Sequence, residues 1–482
     1  MSDLATFDLR EHIDGQWSPP SVTLESWVSD PNEGTRLTPM RASSPASLER
    51  ALETATRIHH AGTWCDCTPE DRARVLRSIA AQLEPRCETM ARLDAQASGV
   101  VLALTRKFAA IASRAFLAAA DQIEQRGAPI RRAAGGGFVE QHRLPLGPAL
   151  VVVPWNAPSA IAAHKVASAL AAGCPVILKP SEYAPQSCQV LVEAAEAAGL
   201  PSGVLQLVHG AGGVGDTLAA DTRIAAVSFT GGLGAGRAVA HRSAEYIRPV
   251  QLELGGNNPL IVLPGADITA TAQAIRAGLT LLGGQWCRAL GRVFVHRSLA
   301  APLFEASCAA FADVRLGHSL DETSEMGPMA HDVQLAAVRG ALQRLEQRGG
   351  KPHARTPLPS LGGWFVPPTL VTAIAAAQAT DEIFGPVATW HTFEDVTQAL
   401  TDARAGDYGL AAYVFGPEDD ALPIARRVRA GSIKINEVSV FALDPMAPRP
   451  AWGLSGLGDE GVVETFEFFR GTRVVACPKG SL

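Results

Sequence analysis

Short apolar runs alternate with segments of helical spacing between residues 149 and 254, and this alternation restricts the fold more than any other feature. The apolar runs lie at 149–153, 175–179, 204–208, 225–229 and 250–254. The helical segments lie at 160–172, at 186–198, near 216 and after 236. Because strands that alternate with helices form parallel sheets, the pattern predicts a doubly wound α/β unit with its ligand site at the strand carboxyl ends.

The flanking segments indicate more than one domain. With 482 residues, the chain exceeds what a single hydrophobic core usually organises. Residues 46–122 have helical periodicity, and residues 259–450 form a second α/β segment. Two short apolar segments, 138–144 and 472–477, alternate like strands but lie outside both α/β units. Since an unpaired strand exposes a row of backbone donors and acceptors, each of them needs a partner.

Composition excludes several classes of protein. The chain is 47% hydrophobic and 19% charged, which is typical of a soluble globular enzyme. Its formal net charge of −6 gives no basic surface for nucleic acid, and no apolar run reaches the ~18 residues that span a bilayer. The N-terminus has no secretion signal, so we expect a cytoplasmic protein. The eight cysteines lack zinc-site spacing, which predicts reduced thiols and no metal.

One glutamate and one cysteine carry the clearest chemical signal. Glu253 precedes Leu-Gly-Gly256, and Cys287, thirty-four residues later, follows Gly284-Gln-Trp. A thiolate attacks an aldehyde carbon, and a carboxylate activates the water that hydrolyses the resulting thioester. Either motif alone is typical of packing or of a strand end, so the interpretation depends on the segments that accompany the pair.

Four further motifs accompany this pair. They are Pro154-Trp-Asn-Ala-Pro158, Lys179-Pro-Ser-Glu182, Phe229-Thr-Gly-Gly232 and Glu382-Ile-Phe-Gly-Pro386. With these motifs the chain resembles the aldehyde dehydrogenase superfamily, whose members oxidise aldehydes to carboxylic acids with NAD(P). The resemblance extends from His12 to the C-terminal tail.

The resemblance implies a catalytic trio. Cys287 would attack the aldehyde, and the Asn156 amide with the Cys287 backbone N–H would donate to the resulting oxyanion. Glu253 would then activate the hydrolytic water. Relatives that pass the acyl group to coenzyme A generally lack this glutamate, so its presence favours hydrolysis.

A dinucleotide site is indicated first by a glycine-rich turn. Gly210-Ala-Gly212-Gly-Val-Gly215 has G-x-G-x-x-G spacing between a strand and a helix, although the usual acidic residue ~20 positions later is absent. The resemblance assigns the adenosine ribose to Lys179 and Glu182. An acid at Glu182 would repel a 2′-phosphate, so it favours NAD.

The resemblance places the rest of the cofactor on other segments. Gly231 and Gly232 would receive the pyrophosphate at a helix N-terminus. Glu382 would hold the nicotinamide ribose, and Phe384 and Trp155 would pack beside the cofactor.

A substrate channel is predicted next to the nucleophile. The residues that motif position and spacing place around it are Ala157, Ala160, Ile161, His164, Trp286, Arg288 and Phe441. Their sizes favour an aromatic or otherwise bulky aldehyde. An alternative substrate is a semialdehyde whose distal carboxylate is bound by Arg288.

Three positions depart from the family pattern. Gly232 replaces a frequent serine, Asn257 replaces a frequent lysine, and residues 450–456 lack the lysine common there. These changes leave the catalytic trio intact. They keep open a different class of function, a catalytically silent member that acts as a binding or structural protein.

The resemblance also implies how the chain is divided. Residues 1–122 and 145–253 would form the NAD-binding domain, and residues 254–450 a catalytic domain. Residues 123–144 and 464–482 would form a small β arm for oligomerisation. In the resembled family this arm pairs with a neighbouring subunit, so we expect a homodimer or a homotetramer that acts on a small-molecule aldehyde.

Overall fold

The computed structural model describes residues 4–134 and 137–477. Its N-terminal elements are β1 (Glu11–Ile13), β2 (Gln16–Ser18), β3 (Val22–Asp30), β4 (Thr35–Ala42), α1 (Pro45–His60), α2 (Pro69–Leu83), α3 (Cys87–Ser98), α4 (Leu102–Arg126), β5 (Ile130–Ala134) and β6 (Gly137–Pro145). They are followed by β7 (Ala149–Val153), α5 (Pro158–Ala172), β8 (Val176–Pro180), α6 (Gln186–Ala197), β9 (Leu205–Leu207), α7 (Gly212–Ala219), β10 (Ala226–Thr230), α8 (Leu233–Glu245) and β11 (Val250–Glu253).

The second half continues the alternation. Its elements are β12 (Asn258–Val262), α9 (Ile268–Thr280), β13 (Leu290–His296), α10 (Arg297–Ala312), α11 (Asp332–Gln347), β14 (Lys351–Ala354), β15 (Thr369–Thr372), β16 (Val387–Phe393), α12 (Val396–Ala403), β17 (Tyr408–Gly409), β18 (Ala411–Phe415), α13 (Glu418–Ala425) and β19 (Ser432–Ile435). The last elements are β20 (Arg449–Pro450), β21 (Trp452–Gly453), β22 (Gly456–Leu457), β23 (Asp459–Glu460), α14 (Val462–Phe468) and β24 (Arg470–Cys477). None of the helices in the described ranges is long and apolar enough to cross a membrane.

The first sheet is the doubly wound one that the alternation predicts. Its order is β2-β1-β9-β8-β7-β10-β11-β22, and every pair from β9 to β11 is parallel. All residues of β7 and β8 are buried, as expected for central strands that helices cover on both faces. The sequence pattern did not predict the short antiparallel edge strands, which are β1 and β2 beside β9 and β22 beside β11.

The second α/β segment forms its own sheet, in the order β14-β15-β16-β13-β12-β18-β19. Its pairs are parallel except β14 with β15. β12 begins at Asn258, soon after Glu253, and its parallel neighbour β13 begins at Leu290, soon after Cys287. Asn258 and Leu290 lie opposite each other. A single crossover through α9 therefore returns the cysteine segment beside the glutamate segment.

The predicted helical region 46–122 consists of four helices. Ser44 and Thr68 cap α1 and α2 by accepting a backbone N–H three residues on. Gly99 ends α3 with a φ of 73°, a left-handed conformation that glycine adopts without strain. α4 packs against α2 and α5, and α2, α3 and α4 bury their apolar faces with β7 and β8 in one core. Most of the apolar face of α1 packs in a second cluster with Leu150 and Ile177.

A three-stranded antiparallel sheet, in the order β24-β6-β5, contains the two segments that had no partner in the sequence analysis. β24 pairs with β6 from Arg470 opposite Pro145 to Cys477 opposite Phe138. We expected these two strands to pair across subunits. That expectation is wrong for the edge that β6 and β24 share, because the two strands pair with each other within one chain. At one end of this pair, the Leu146 N–H donates to the Phe469 carbonyl at 3.0 Å.

Candidate active site

The loop that carries Cys287 connects α9 to β13 along a left-handed backbone. Gly283 and Gly284 have φ values of 62° and 69°. A Cβ on Gly284 would collide with the Gly385 carbonyl, so conformation and space both require glycine there. The loop that carries Cys287 therefore packs directly against the loop that carries Glu382.

Gln285 holds this loop from inside. Its side chain is fully buried, and its Oε1 accepts from the Ala330 N–H at 2.9 Å. Its Nε2 donates to the carbonyls of Leu282 and Pro328 at 3.2 and 3.4 Å. The sequence analysis treated Gly-Gln only as a turn, whereas the glutamine side chain fixes that turn relative to two other loops.

Cys287 itself lies in the turn before β13 and is partly exposed. Its carbonyl accepts from Asn258 Nδ2 at 2.9 Å, which ties it to the start of β12. Burial raises the pKa of the thiol to about 12, while the Arg288 charge acts in the opposite direction. The resting side chain is therefore a protonated thiol that must lose its proton before it can attack.

Glu253 ends β11 at the carboxyl edge of the first sheet, opposite Gly456 of β22. Its side chain is 4% exposed, and its Oε1 has no hydrogen-bond partner among residues 4–134 and 137–477. Burial, and then the charge of Glu460, raises the pKa of Glu253. A buried carboxyl group with a free oxygen and a raised pKa has the properties of a general base.

A charged pair that the sequence analysis missed lies behind Glu253. Lys165 on α5 is fully buried, donates to Ser228 Oγ at 2.9 Å and lies 3.3 Å from Glu460 Oε1. Burial raises the pKa of Glu460, but the charges of Lys165 and Arg449 outweigh it and hold that pKa below its usual range. The available signal was a lysine in an otherwise apolar helix of a chain with six lysines.

Asn156 follows β7 and therefore lies at the same edge of the sheet as Glu253. Its side chain is 8% exposed, and its Nδ2 donates to the Gln285 carbonyl at 2.8 Å. A carboxamide nitrogen carries two N–H donors, so one is left for another acceptor. The structure thus joins Asn156 to the loop of Cys287, next to the segment that begins at Glu253.

Lys179 and Glu182 lie at the carboxyl end of β8. The Lys179 Nζ donates to the Pro180 carbonyl at 2.9 Å and lies 3.9 Å from Glu182 Oε2. Burial lowers the pKa of Lys179. A Cβ on Gly215 would lie 3.7 Å from Lys179 Cδ, and one on Gly212 would meet nothing within 4 Å. The glycine-rich start of α7 and the two predicted ribose residues therefore border one cleft.

The N-terminus of α8 continues this cleft. Gly232 is its N-cap, and no side chain caps the helix. A Cβ on Gly232 would meet nothing within 4 Å, whereas one on Gly231 would strike the Phe229 ring. An uncapped helix end with an open approach fits a pyrophosphate, so glycine in place of serine at 232 is compatible with the cofactor.

Glu382, Phe384 and Trp155 lie together at the other end of the cleft. The Glu382 Oε1 accepts from the Gly256 N–H at 2.9 Å, and burial raises the pKa of this carboxyl group to about 7. The rings of Trp155 and Phe384 meet edge to face with centroids 5.6 Å apart. The second Glu382 oxygen has no protein donor in the described part of the chain, which fits a ribose hydroxyl.

His331 is a further residue of this cleft that the sequence analysis missed. Its ring stacks on Tyr183 at 3.8 Å and meets Trp155 edge to face at 5.2 Å. Its Nδ1 accepts from the Gln334 N–H at 3.1 Å, so Nε2 carries the proton. Burial lowers the pKa of His331 to about 4, which keeps the ring neutral. The sequence offered no motif around this histidine.

Asn257, a departure from the family pattern, has a structural role. Its Nδ2 donates to the Ala379 carbonyl at 2.9 Å, three residues before Glu382. Its carbonyl accepts from Arg292 Nε and Nη2 at 3.2 and 3.0 Å. The segment without the usual lysine is also held close, because the Ser455 carbonyl accepts from the N–H of the residue after Glu253 at 2.8 Å.

The predicted pocket residues fall into two groups. Trp286 is 5% exposed and packs in an apolar cluster with Phe108, against which Ala157 and Ala160 also pack. Phe441 is 47% exposed, and its ring centroid lies 6.2 Å from that of Phe108. These residues form an aromatic and aliphatic wall beside the Cys287 loop.

The other three predicted pocket residues, His164, Ile161 and Arg288, contact other parts of the protein. The His164 Nε2 lies 3.2 Å from Thr465 Oγ1, and burial lowers the pKa of His164 to about 4. Ile161 packs against the helical core of the first sheet rather than against the cluster of Trp286. Arg288 is 7% exposed and donates from Nη1 to Ser432 Oγ at 2.5 Å.

Comparison with known proteins connects this site to one family. Residues 19–475 match the sequence model of the aldehyde dehydrogenase family. The chain is 34% identical over 438 residues to a betaine aldehyde dehydrogenase of Cereibacter sphaeroides, with 89% of each chain covered. It is 32% identical over 473 residues to a 4-(hydroxymethyl)benzenesulfonate dehydrogenase of Comamonas testosteroni, with 96% of each covered. A crystal structure of betaine aldehyde dehydrogenase from Staphylococcus aureus in complex with NAD⁺ has a TM-score of 0.93 at 27% identity, covering 98% of this chain and 95% of that one.

Proposed function

The chain belongs to the aldehyde dehydrogenase family, and from that premise we propose that it oxidises an aromatic or otherwise bulky aldehyde through a thioester on Cys287. Its cofactor is NAD. The observation that carries the proposal is the position of Asn156 and Glu253 at the carboxyl edge of the first sheet, with Asn156 hydrogen-bonded to the loop of Cys287 beside an open cleft. That set contains an oxyanion donor, a general base and a nucleophile.

The first step is attack by Cys287. The thiol first loses its proton to water, and the adjacent Arg288 charge favours the thiolate. The sulfur forms a bond to the aldehyde carbon, and the carbonyl electron pair moves onto oxygen. The free Asn156 N–H and the Cys287 backbone N–H stabilise that oxyanion.

The cofactor is held by residues at both ends of the cleft. Lys179 and Glu182 bind the adenosine ribose, the N-terminus of α8 binds the pyrophosphate, and Glu382 binds the nicotinamide ribose. When bound there, NAD supplies the acceptor for the hydride that leaves the adduct carbon, which converts the adduct into a thioester.

The last step is hydrolysis of the thioester. Glu253 takes a proton from water through its unpaired Oε1 while the water oxygen bonds to the acyl carbon. The carbon–sulfur bond then breaks, which releases the carboxylic acid and restores Cys287. The charge of Glu460 raises the pKa of Glu253 and the charge of Lys165 lowers it, so this pair influences how readily Glu253 accepts a proton.

Similarity alone does not choose the aldehyde. The relatives reported above are named for betaine aldehyde, a cation, and for an aromatic sulfonate, an anion. The aromatic wall of Trp286, Phe108 and Phe441 supports a bulky substrate for this chain. The test is NADH formation across a panel of aliphatic and aromatic aldehydes, with NAD and NADP compared. We expect aromatic aldehydes and NAD to be preferred, and no reduction of NAD by any aldehyde would refute the proposal.

Asn156→Ala should lower kcat by roughly 10²–10³, the usual loss when one oxyanion donor is removed. The cause is that the oxyanion would keep only the Cys287 backbone N–H. Steady-state kinetics with benzaldehyde measure the change, and NAD titration serves as the control for correct folding. An unchanged kcat would mean that the amide serves only to hold the Gln285 carbonyl.

We also propose that the chain assembles as a homodimer or a homotetramer. The outer edges of β24 and β5 have no strand partner within the described chain, and Val474 and Ile130 there are 63% and 50% exposed. Open apolar edges are covered in stable proteins, most simply by a second copy. Deleting residues 472–482 should convert the oligomer to monomers in sedimentation velocity. A monomeric full-length protein at micromolar concentration would contradict the proposal.

A further inference from the structure

The two residues that flank the nucleophile carry hydrogen-bond donors without acceptors. The Nε1 of Trp286 is buried and has no partner among the residues described. Arg288 is 93% buried, and its hydrogen bonds, to Ser432 Oγ and the Leu410 carbonyl, both start from Nη1. Its Nε and Nη2 therefore have no acceptor in the described part of the chain. Because buried donors are nearly always satisfied, a ligand is expected to accept from Trp286 Nε1, and the open Nε and Nη2 of Arg288 are available to a ligand as well.

A second buried cation lies near Arg288. Lys434 is 6% exposed, and its Nζ donates to the carbonyls of Val438 and Ser439 at 3.4 and 2.5 Å. Neither cation has a carboxylate within 4.0 Å in residues 4–134 and 137–477. Burial, and then the charge of Arg288, lowers the pKa of Lys434 to about 8, so the two positive charges act on each other. Buried charges are usually paired, and these two are not.

The acids around the nucleophile form no ion pair with these cations in the described part of the chain. Burial raises the pKa of both Glu253 and Glu382, although the charge of Arg288 acts on Glu253 in the opposite direction. Glu460 is held by Lys165 at 3.3 Å. The exposed Glu437 raises the pKa of Lys434, but its Oε1 accepts from two backbone N–H groups. Arg288 and Lys434 therefore remain without an ion-pair partner in the described part of the chain.

One loop connects the cations to the apolar pocket. Lys434 holds the carbonyls of Val438 and Ser439, and the next residue, Val440, packs against the cluster of Trp286 and Phe108. At the exposed rim, the Lys107 Nζ lies 5.8 Å from the centroid of the Phe441 ring. An aromatic wall thus stands beside unused donors and unpaired cations.

We propose that the substrate of this site is an aldehyde with a second, anionic group, a carboxylate or a sulfonate, which accepts from Trp286 Nε1 and Arg288. Lys434 provides the remaining positive charge. The inference rests on the proposed aldehyde oxidation, and it excludes cationic aldehydes as good substrates because the same charges repel them.

The kinetic test compares para-substituted benzaldehydes of similar size in the holoenzyme with NAD. The set contains 4-formylbenzoate, 4-formylbenzenesulfonate, the neutral methyl 4-formylbenzoate and the cationic 4-formyl-N,N,N-trimethylanilinium. We expect kcat/KM for one of the two anions to exceed that for the neutral ester about tenfold or more, since a hydrogen bond to a charged group contributes at least that. The cation should be the poorest substrate. Which anion is preferred separates a carboxylate site from a sulfonate site.

Three variants test which residues cause the preference for anionic aldehydes. Arg288→Met should reduce the anion-to-ester ratio of kcat/KM to about one, because the charge and its free N–H groups are lost. Trp286→Phe removes the indole N–H and keeps an aromatic ring, so the ratio should fall a few-fold. Lys351→Met, an exposed change on β14, removes one positive charge far from the pocket and should leave the ratio unchanged.

Two kinetic outcomes would overturn the inference. One is an equal kcat/KM for the anions and the ester in the unchanged protein. The other is a parallel fall for anion and ester in Arg288→Met, which would mean that Arg288 only supports the Cys287 thiolate.

If no aldehyde is oxidised, the proposed function fails, and the anion site is judged by binding alone. Calorimetry then compares terephthalate with its neutral dimethyl ester. Tighter binding of terephthalate that Arg288→Met removes would support the site, and equal binding of the two would refute it.

Discussion

Cys287→Ala should abolish NAD-dependent aldehyde oxidation while the fold and NAD binding persist. Cys287 is the nucleophile in the proposed reaction, and no second thiol lies in its loop. The loop itself does not depend on the sulfur, because the Gln285 side chain and Asn258 Nδ2 hold it through hydrogen bonds. NADH formation measures activity, and thermal unfolding with and without NAD measures fold and cofactor binding.

A buried cysteine elsewhere provides the matched control for this variant. Cys308 on α10 is buried in the second sheet's helical layer and makes no contact with the site residues described above. Cys308→Ala should therefore retain aldehyde oxidation. Substantial turnover by folded Cys287→Ala would remove the basis of the assignment.

Glu253→Gln should separate the two halves of the reaction. Glutamine is nearly isosteric with glutamate but cannot accept the proton of the hydrolytic water. Formation of the thioester should persist, so rapid mixing should show a burst of NADH followed by slow turnover. Equal slowing of the burst and of the steady state would indicate that Glu253 instead primes the Cys287 thiol.

The pH dependence gives the same test in the unchanged protein. Glu253 acts as a base only when it is deprotonated, and burial with the charge of Glu460 raises its pKa above the usual glutamate range. Hydrolysis should therefore slow as the pH falls through this raised pKa, and it should recover as the pH rises above it. This decrease of the steady-state rate at low pH should be absent in Glu253→Gln. A rate that falls only below the ordinary range of a glutamate would contradict the raised pKa.

The parallel sheets were predictable because each strand is a short apolar run bounded by a helix with its own period. The edge strands were not, since β1, β2 and β22 contain two or three residues each, and β1 and β22 pair with strands distant in sequence. The pairing of β6 with β24 within one chain was not predicted for the same reason. An alternating pattern identifies each strand, but it does not show which strands become neighbours in a sheet.

The site divides in a similar way. Motifs predicted Asn156, Glu253 and Cys287, and the structure brings their segments together. The Lys165–Glu460 pair joins distant parts of the chain, so its effect on Glu253 exists only in the folded protein. The unused donor of Trp286 depends on which neighbours pack around its ring, which spacing does not reveal. The domain boundaries inferred from the resemblance stay a prediction.

The alternative of a catalytically silent protein loses its basis. The departures at Gly232 and Asn257 leave an open pyrophosphate approach and a well-held Glu382 loop. The chain is an enzyme of the aldehyde dehydrogenase family, and the identity of its aldehyde is the open part of the account.

The most direct measurement of the central claim is intact-protein mass spectrometry of Glu253→Gln after mixing with NAD and an aromatic aldehyde. The account predicts a mass increase of one acyl group, located on the peptide that contains Cys287. The increase should require NAD, and it should be absent when Cys287 is also replaced by alanine. NADH formation without any covalent adduct, or an adduct on another residue, would contradict the thioester mechanism.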